Sequence, residues 1–184
     1  MSKILDIRNP LVWLRRIRHR RGYGVHSPFA FNMLIQVVYA PGQYYAYRSL
    51  DALFSRRDRL MFPRRRAVDR LLFRLSNALQ PRSFCALGGS ERAICHIKAG
   101  CSTLHPVAAG SRNVDMLYVA AGGFSELDAV AEGGFVIVDH LRKNRSLWNH
   151  LLKDDRFTVT FDLHDVGLAF LRPDLLPDHY IVNW

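Results

Sequence analysis

At Ser83-Phe-Cys-Ala-Leu-Gly-Gly-Ser-Glu-Arg92 the pattern of the chain switches from helical periodicity to strand, turn and helix. Ser83 to Leu87 is a short apolar run that predicts a buried strand, and Gly88-Gly89-Ser90 stops it in a tight turn. Residues 91–99 then read as a short helix. A strand that passes through a glycine turn into a helix is how a parallel sheet begins, because parallel neighbours need a crossover between them. Downstream, 102–107 is a possible strand, and Asp115 to Ala120 is a better one, stopped by Gly122-Gly123. Phe135-Val-Ile-Val138 is fully apolar and ends at Asp139-His140. Helices are expected at 125–132, with Leu127 and Val130 inward, and at 146–152. Residues 157–161 alternate, Asp165-Val166-Gly167 turns, and 167–171 returns, which predicts an antiparallel hairpin. His179 to Trp184 reads as a last strand. The expected class is therefore α/β, with a mostly parallel sheet and an antiparallel C-terminal hairpin.

Upstream of this stretch the chain reads as helical. Leu11, Leu14 and Ile17 recur at helical spacing among arginines, and Gly22-Tyr23-Gly24 ends that segment. Ser27 is placed to cap a helix whose first position is Pro28, with Phe31, Leu34, Ile35 and Val38 as its apolar face. A second helix is expected at about 48–60, buried through Leu50, Leu53 and Phe54. A third, at about 64–80, carries Val68, Leu71, Leu72, Leu75 and Leu79 at the 3.6-residue period, with Arg64, Arg65, Arg66, Arg70 and Arg74 on its polar side. The organisation that follows is a helical N-terminal extension over 1–80 packed on an α/β domain over 81–184.

With 49% apolar residues in 184, the chain can bury a core and is not disordered. No apolar run reaches the ~20 residues that cross a bilayer. Three cysteines (Cys85, Cys95, Cys101) suit free thiols in a reducing compartment, so a cytoplasmic location is expected. The net charge of +10 is uneven: residues 1–82 carry 17 Lys and Arg against 4 Asp and Glu, whereas 83–184 carry 9 against 12. Such asymmetry points either to an anionic partner or to a basic helical layer on a mildly acidic domain. Tyr44, Tyr45 and Tyr47 lie near arginines, as base-stacking residues do, and equally as a covering of the helical layer does. Cys95, His96, Cys101 and His105 lack the close Cys-x2–4-Cys spacing of structural zinc, so no metal site is expected. His26, before the Ser27 cap, suits packing under a turn better than acid–base work.

Two end segments carry a family resemblance. Arg18-His-Arg-Arg-Gly-Tyr-Gly-Val-His-Ser-Pro-Phe29 resembles the opening of a group of bacterial S-adenosylmethionine (SAM)-dependent methyltransferase-like proteins. Phe157 to Arg172, followed by His179-Tyr-Ile-Val182, resembles the antiparallel strands that close class I methyltransferases. The resemblance implies a Rossmann-like methyltransferase fold behind a helical extension. It further implies that Gly88, Gly89 and Ser90 are the cofactor-binding turn and that Asp139 is the candidate catalytic or polarising acid.

Between those ends, the acids that the family uses are missing. Ala86 stands where the first strand should deliver a carboxylate, 102–110 has no acid for the ribose hydroxyls, and Ala120 or Ala121 replaces the acid after the fourth strand. From Leu87 to Asp115 is 28 positions. A crossover needs at least ~10–12 residues, so one comfortable crossover and a short strand fit, and the family's third strand does not. A ribose left without its acceptor costs on the order of 1–3 kcal/mol, roughly ten- to a hundredfold in affinity. The expectation is a methyltransferase-like chain without methyl transfer activity and without bound SAM, serving as a binding or scaffolding module for a protein partner or for itself. An active SAM-dependent methyltransferase and a basic module for nucleic acid or anionic surfaces are the alternatives.

Overall fold

The computed structural model describes residues 25–55, 62–122 and 124–184. The amphipathic segment of 11–21 and the arginines of 56–59 lie outside the described residues. A seven-stranded sheet carries the fold: β1 (Ser83–Leu87), β2 (His105–Pro106), β3 (Val114–Val119), β4 (Val130–Val138), β5 (Val159–Asp162), β6 (Gly167–Phe170) and β7 (Asp178–Ile181). Their order is β2-β1-β3-β4-β6-β5-β7. The pairs β1–β2, β1–β3, β3–β4 and β5–β7 are parallel, and β6 runs antiparallel to both β4 and β5. The sheet thus has the mostly parallel character and the hairpin expected of it.

Among the described residues, β2 ends the sheet on one side with only two residues. His105 donates to the Arg82 carbonyl and Val107 to the Phe84 carbonyl, while Pro106 has no N–H to offer a further neighbour. The short span between β1 and β3 therefore holds one helix and one abbreviated strand, as the spacing requires.

Helix α1 (Pro28–Asn32) starts as expected, with Ser27 Oγ accepting from the Ala30 N–H and Pro28 in the first turn. It continues as a π-helical turn over Met33–Val38, in which Tyr39 N–H bonds the Leu34 carbonyl. The wider turn rotates the buried face. Met33, Leu34, Val37 and Val38 go inward, whereas Phe31, expected inside, stays 45% exposed. Helix α2 (Ala46–Asp51) is shorter than the expected 48–60, and Leu53 is exposed while Leu50 and Phe54 are buried. The third helix, α3 (Pro63–Leu79), matches its reading. Helix α4 (Glu91–Gly100) follows β1, and α5 (Arg145–Leu151) precedes β5. The helix expected at 125–132 is a single 3₁₀ turn, Leu127–Ala129, because Val130 already pairs with Val114 and enters the sheet. Leu127 and Val130 still point inward.

One face of the sheet buries Phe84, Met116, Tyr118, Ile137 and Phe170 under α1, α3 and α4, through Leu34, Val68, Leu71, Leu72, Leu75 and Ile97. The other buries Cys85, Leu117, Val119, Val136 and Ala169 under α5, through Leu147, Trp148 and Leu151. Residues from both halves of the chain thus share one core.

The arginines of α3 do not form a solvated face. Arg64 donates to Asp165 Oδ2 (2.5 Å) and to the Trp184 carbonyl (2.6 Å), and lies 4.6 Å over the Trp184 ring. Arg66 and Arg70 share Asp51, whose carboxyl is held below its usual range first by the hydrogen bond from Arg66. Arg74 is buried and donates to the carbonyls of Val37 (2.6 Å) and Val38 (3.2 Å), satisfying the end of the π-helical turn. Arg74 is buried and the other four are half-buried, and each guanidinium reaches an acceptor on another element.

Helices α3 and α4 meet at Gly100, where an added Cβ would lie 2.3 Å from the Phe73 carbonyl and 2.8 Å from Ser76 Cβ. Gly100→Ala is therefore expected to destabilise the fold by about 1–3 kcal/mol through forced separation of the two helices. Urea unfolding of the two proteins checks this, and an unchanged midpoint refutes the close-contact account.

Candidate functional site

The residues singled out in sequence converge on the C-terminal edge of the parallel strands. Gly88 (φ +75°) and Gly89 (φ +97°) turn the chain out of β1 in a conformation open to glycine. Ala120 and Ala121 both donate to the Leu87 carbonyl, which fastens the end of β3 to this turn. Ser90 caps α4, its Oγ accepting from the Ala93 N–H at 3.2 Å. Asp139 lies at the end of β4, two strands away from β1, and is 1% exposed.

Asp139 is fully engaged. Its Oδ2 accepts from Tyr118 Oη (2.6 Å) and from Arg65 Nη1 (2.6 Å), and its Oδ1 accepts from the His140 N–H (2.7 Å). His140 sits at φ +50°, the left-handed turn that folds this N–H back onto the carboxylate. Asn144 Nδ2 donates to the carbonyls of Asp139 (2.7 Å) and Ala120 (3.0 Å), tying the ends of β3 and β4 together. Tyr118 is wholly buried. Burial raises its phenol pKa, and the adjacent Asp139 charge raises it further, so the hydroxyl stays a donor. Burial by itself lowers the Arg65 pKa, but the carboxylates of Asp139 and Asp69 outweigh it and keep the guanidinium charged.

Gly89 has a second, steric reason to be glycine. A Cβ there would lie 2.5 Å from Tyr118 Cε1. The close approach permitted at this turn is thus taken up by the protein's own tyrosine ring. At Gly88 the nearest atoms are those of Ala120 and Ala121, at 3.6 Å and beyond.

Behind Asp139 the polar cluster extends into the α3–α4 interface. Arg65 Nη2 lies 2.8 Å from Asp69 Oδ1, and Asp69 is 0% exposed with neither oxygen in a well-directed hydrogen bond. His96, also 0% exposed, bonds the Arg92 carbonyl through Nδ1 at 2.7 Å and leaves Nε2 unpaired. Burial raises the Asp69 pKa and lowers that of His96, so both favour the neutral form. Sequence reading missed Arg65, Asp69, Tyr118 and Asn144 as parts of the site. Only the strand alternation that makes Tyr118 face α3 was available to signal any of them.

The arrangement offers no free general base at Asp139, and the ends of β1 and β3 present Ala86, Ala120 and Ala121 rather than carboxylates. The ends of β1 and β3 thus offer no side-chain carboxylate to the hydroxyls of a nucleoside. Among the described residues no cluster of His, Cys, Asp or Glu suits a metal ion. The described cysteines are free, and among the described residues no helix is long and apolar enough to cross a membrane.

No protein-family model matches the chain, and neither does any curated protein. Among solved structures, an S-adenosylhomocysteine-bound methyltransferase of Podospora anserina superposes with a TM-score of 0.50 at 12% identity, covering 93% of this chain and 99% of that one. A methyltransferase from Geobacter sulfurreducens gives a TM-score of 0.47 at 15% identity, over 72% of this chain and 92% of that one. The fold is thus a Rossmann-like methyltransferase fold.

Two measurements test the cluster. Removing Arg65 as Arg65→Met strands the buried Asp139 charge and is expected to cost about 3–5 kcal/mol, against about 1–3 kcal/mol for Tyr118→Phe. Equal or negligible losses in chemical denaturation contradict the pairing. The second concerns pH. A histidine whose folded-state pKa is depressed contributes fully above its unfolded value of about 6.5, and that contribution is lost as pH falls toward the folded value. Asp69, with its raised pKa, acts oppositely, losing stability as pH rises above about 3.9. The His96→Gln variant is therefore expected to lose ground to the parent protein as pH rises from 5 to 7. A melting-temperature difference that is flat over that range refutes the assignment.

Proposed function

We propose that this chain has kept the methyltransferase fold without methyl transfer activity and works as a binding or scaffolding module. The observation that carries this reading is the state of Asp139, whose two oxygens accept from Tyr118, Arg65 and the His140 backbone. A carboxylate held by three donors in the interior is poorly suited to take a proton from a methyl acceptor. The alanines at 86, 120 and 121 support the same reading, because they leave the ends of β1 and β3 without a carboxylate. Tyr118 under Gly89 supports it again, since the ring fills space directly beneath the turn. The internal partners of Arg64, Arg65, Arg66, Arg70 and Arg74 favour a protein partner or self-association over a nucleic-acid surface on α3.

In the competing enzyme reading, Gly88, Gly89 and Ser90 hold SAM and Asp139 assists transfer. Calorimetric titration with SAM and with S-adenosylhomocysteine separates the two. The expected result is no heat and no thermal shift at millimolar ligand. Micromolar binding that disappears in Gly88→Val overturns the proposal and assigns the turn to the cofactor.

A further inference from the structure

Beside the Asp139 cluster, two turns are locked together at the ends of β4 and β5. The first, 139–144, leads from β4 into α5, and the second, 163–166, joins β5 to β6. Leu141 N–H donates to the Asp165 carbonyl (2.9 Å) and holds one turn against the other. The second turn gives up the residue that its geometry favours. Asp162 pairs with Gly167, and Leu163 N–H donates to the Val166 carbonyl (2.9 Å), so His164 and Asp165 form a two-residue hairpin loop. His164 turns at φ +77° whereas Asp165 has no positive φ, which is the II′ pattern, whose first loop position glycine fills without steric cost. A histidine kept at such a position points to a use for its side chain.

The imidazole is held from both sides. Its Nδ1 lies 3.2 Å from Asp165 Oδ1, and its Nε2 lies 2.6 Å from Arg142 Nη2. A guanidinium only donates, so Nε2 is the acceptor and the imidazole proton sits on Nδ1, facing Asp165. Burial raises the Asp165 pKa, but the hydrogen bonds from His164 and Arg64 outweigh it and hold the carboxyl below its usual range. Asp165 therefore stays ionised and orients the ring, so that Nε2 is turned to Arg142.

Two exposed guanidinium groups converge on this loop. Arg142 meets a neutral nitrogen rather than a carboxylate. Arg145, three positions further on, reaches Asp162 Oδ2 only at 3.5 Å, while Asp162 Oδ1 accepts from the His164 N–H (2.8 Å). Among the described residues neither guanidinium has a further acceptor. With Arg64, three guanidinium groups face the two carboxylates of Asp162 and Asp165, so the loop keeps a surplus of positive charge. A guanidinium bonds a charged oxygen more strongly than a neutral acceptor, and its fork matches carboxylate and phosphate. Donors from three side chains match the three oxygens of a terminal phosphoryl group better than the two of a carboxylate.

We propose that Arg142, Arg145 and His164, brought together by these two turns, bind a terminal phosphoryl group. Its oxygens draw Arg142 off the imidazole, meet Arg145 beside it, and accept from His164 Nε2, which takes a proton from solvent while Asp165 faces the other side of the ring. The inference goes beyond the scaffolding reading and holds whether or not the glycine turn takes SAM, because none of these side chains belongs to that turn.

Phenyl phosphate and inorganic phosphate are the probes, titrated into the ¹⁵N-labelled full chain at constant ionic strength and followed by NMR, with benzoate as the carboxylate control. The expected shifts fall on residues 140–145 and 162–166 and on the His164 Nε2 resonance, with both phosphates binding more tightly than benzoate. Phenyl phosphate binding more tightly than inorganic phosphate assigns the site to phosphate esters, and equal binding assigns it to the free anion. Arg142→Gln, at an exposed position, is expected to weaken phenyl phosphate about tenfold, and Arg145→Gln to weaken it less. His164→Gly is expected to weaken it about tenfold while keeping or raising the melting temperature, since glycine is at ease in the II′ position. The proposal is overturned by an absence of shifts at millimolar probe, by benzoate binding as tightly as the phosphates, or by a phenyl phosphate affinity that neither Arg142→Gln nor His164→Gly alters.

Discussion

Asp139 cannot be buried as a charge by itself, and the rest of the C-terminal edge is arranged around that constraint. A carboxylate taken out of water costs several kcal/mol unless donors replace its hydration. Here the donors come from three places: β3 through Tyr118, the start of α3 through Arg65, and the turn after β4 through His140. Each donor fixes an element. Tyr118 can reach the acid only from the sheet face covered by α3, and Arg65 can reach it only if α3 begins directly over the ends of the strands. The glycine turn after β1 must then pass close over the tyrosine ring, which a side chain at position 89 would prevent.

The same economy of charge runs along α3. Four of its arginines meet a carboxylate or the Trp184 carbonyl, and Arg74 meets the carbonyls left open by the π-helical turn at 33–38. Arginine suits this work because its planar fork donates in several directions and is weakly hydrated for a cation. The arginines of α3 therefore bind the helical N-terminal segments to the sheet. The net charge of +10 overstates the cationic surface, because part of it is internal.

The contrast between the two ends of the sheet is chemical as well as geometric. At the C-terminal edge, where ligands of open α/β sheets usually lie, the polar groups around Asp139 are consumed by one another and the strand ends carry alanine. At the N-terminal edge, β4 leaves the ladder between Val130 and Phe135, where Gly133 turns at φ +80°.

Much of the architecture is legible in the residues themselves. The apolar runs at 83–87, 115–120 and 135–138, the glycine turns after the first two, and the alternation at 157–161 specify strands because burial and turn chemistry act locally. The 28 positions between Leu87 and Asp115 leave no room for a further strand, which is a matter of chain length alone. The alanines at 86, 120 and 121 were equally plain. Periodicity failed where a neighbour decided the outcome: at 33–38, where a π-helical turn rotated the buried face, and at 130, where β3 drew an expected helix into the sheet. Strands and turns are readable in the residues because they depend on neighbours in the chain, whereas the alanines at 86, 120 and 121 take their meaning from the family resemblance. The pairing of Arg65 with Asp139 across 74 positions and the seating of Tyr118 under Gly89 come from packing between distant segments, because long-range pairing has no local signature.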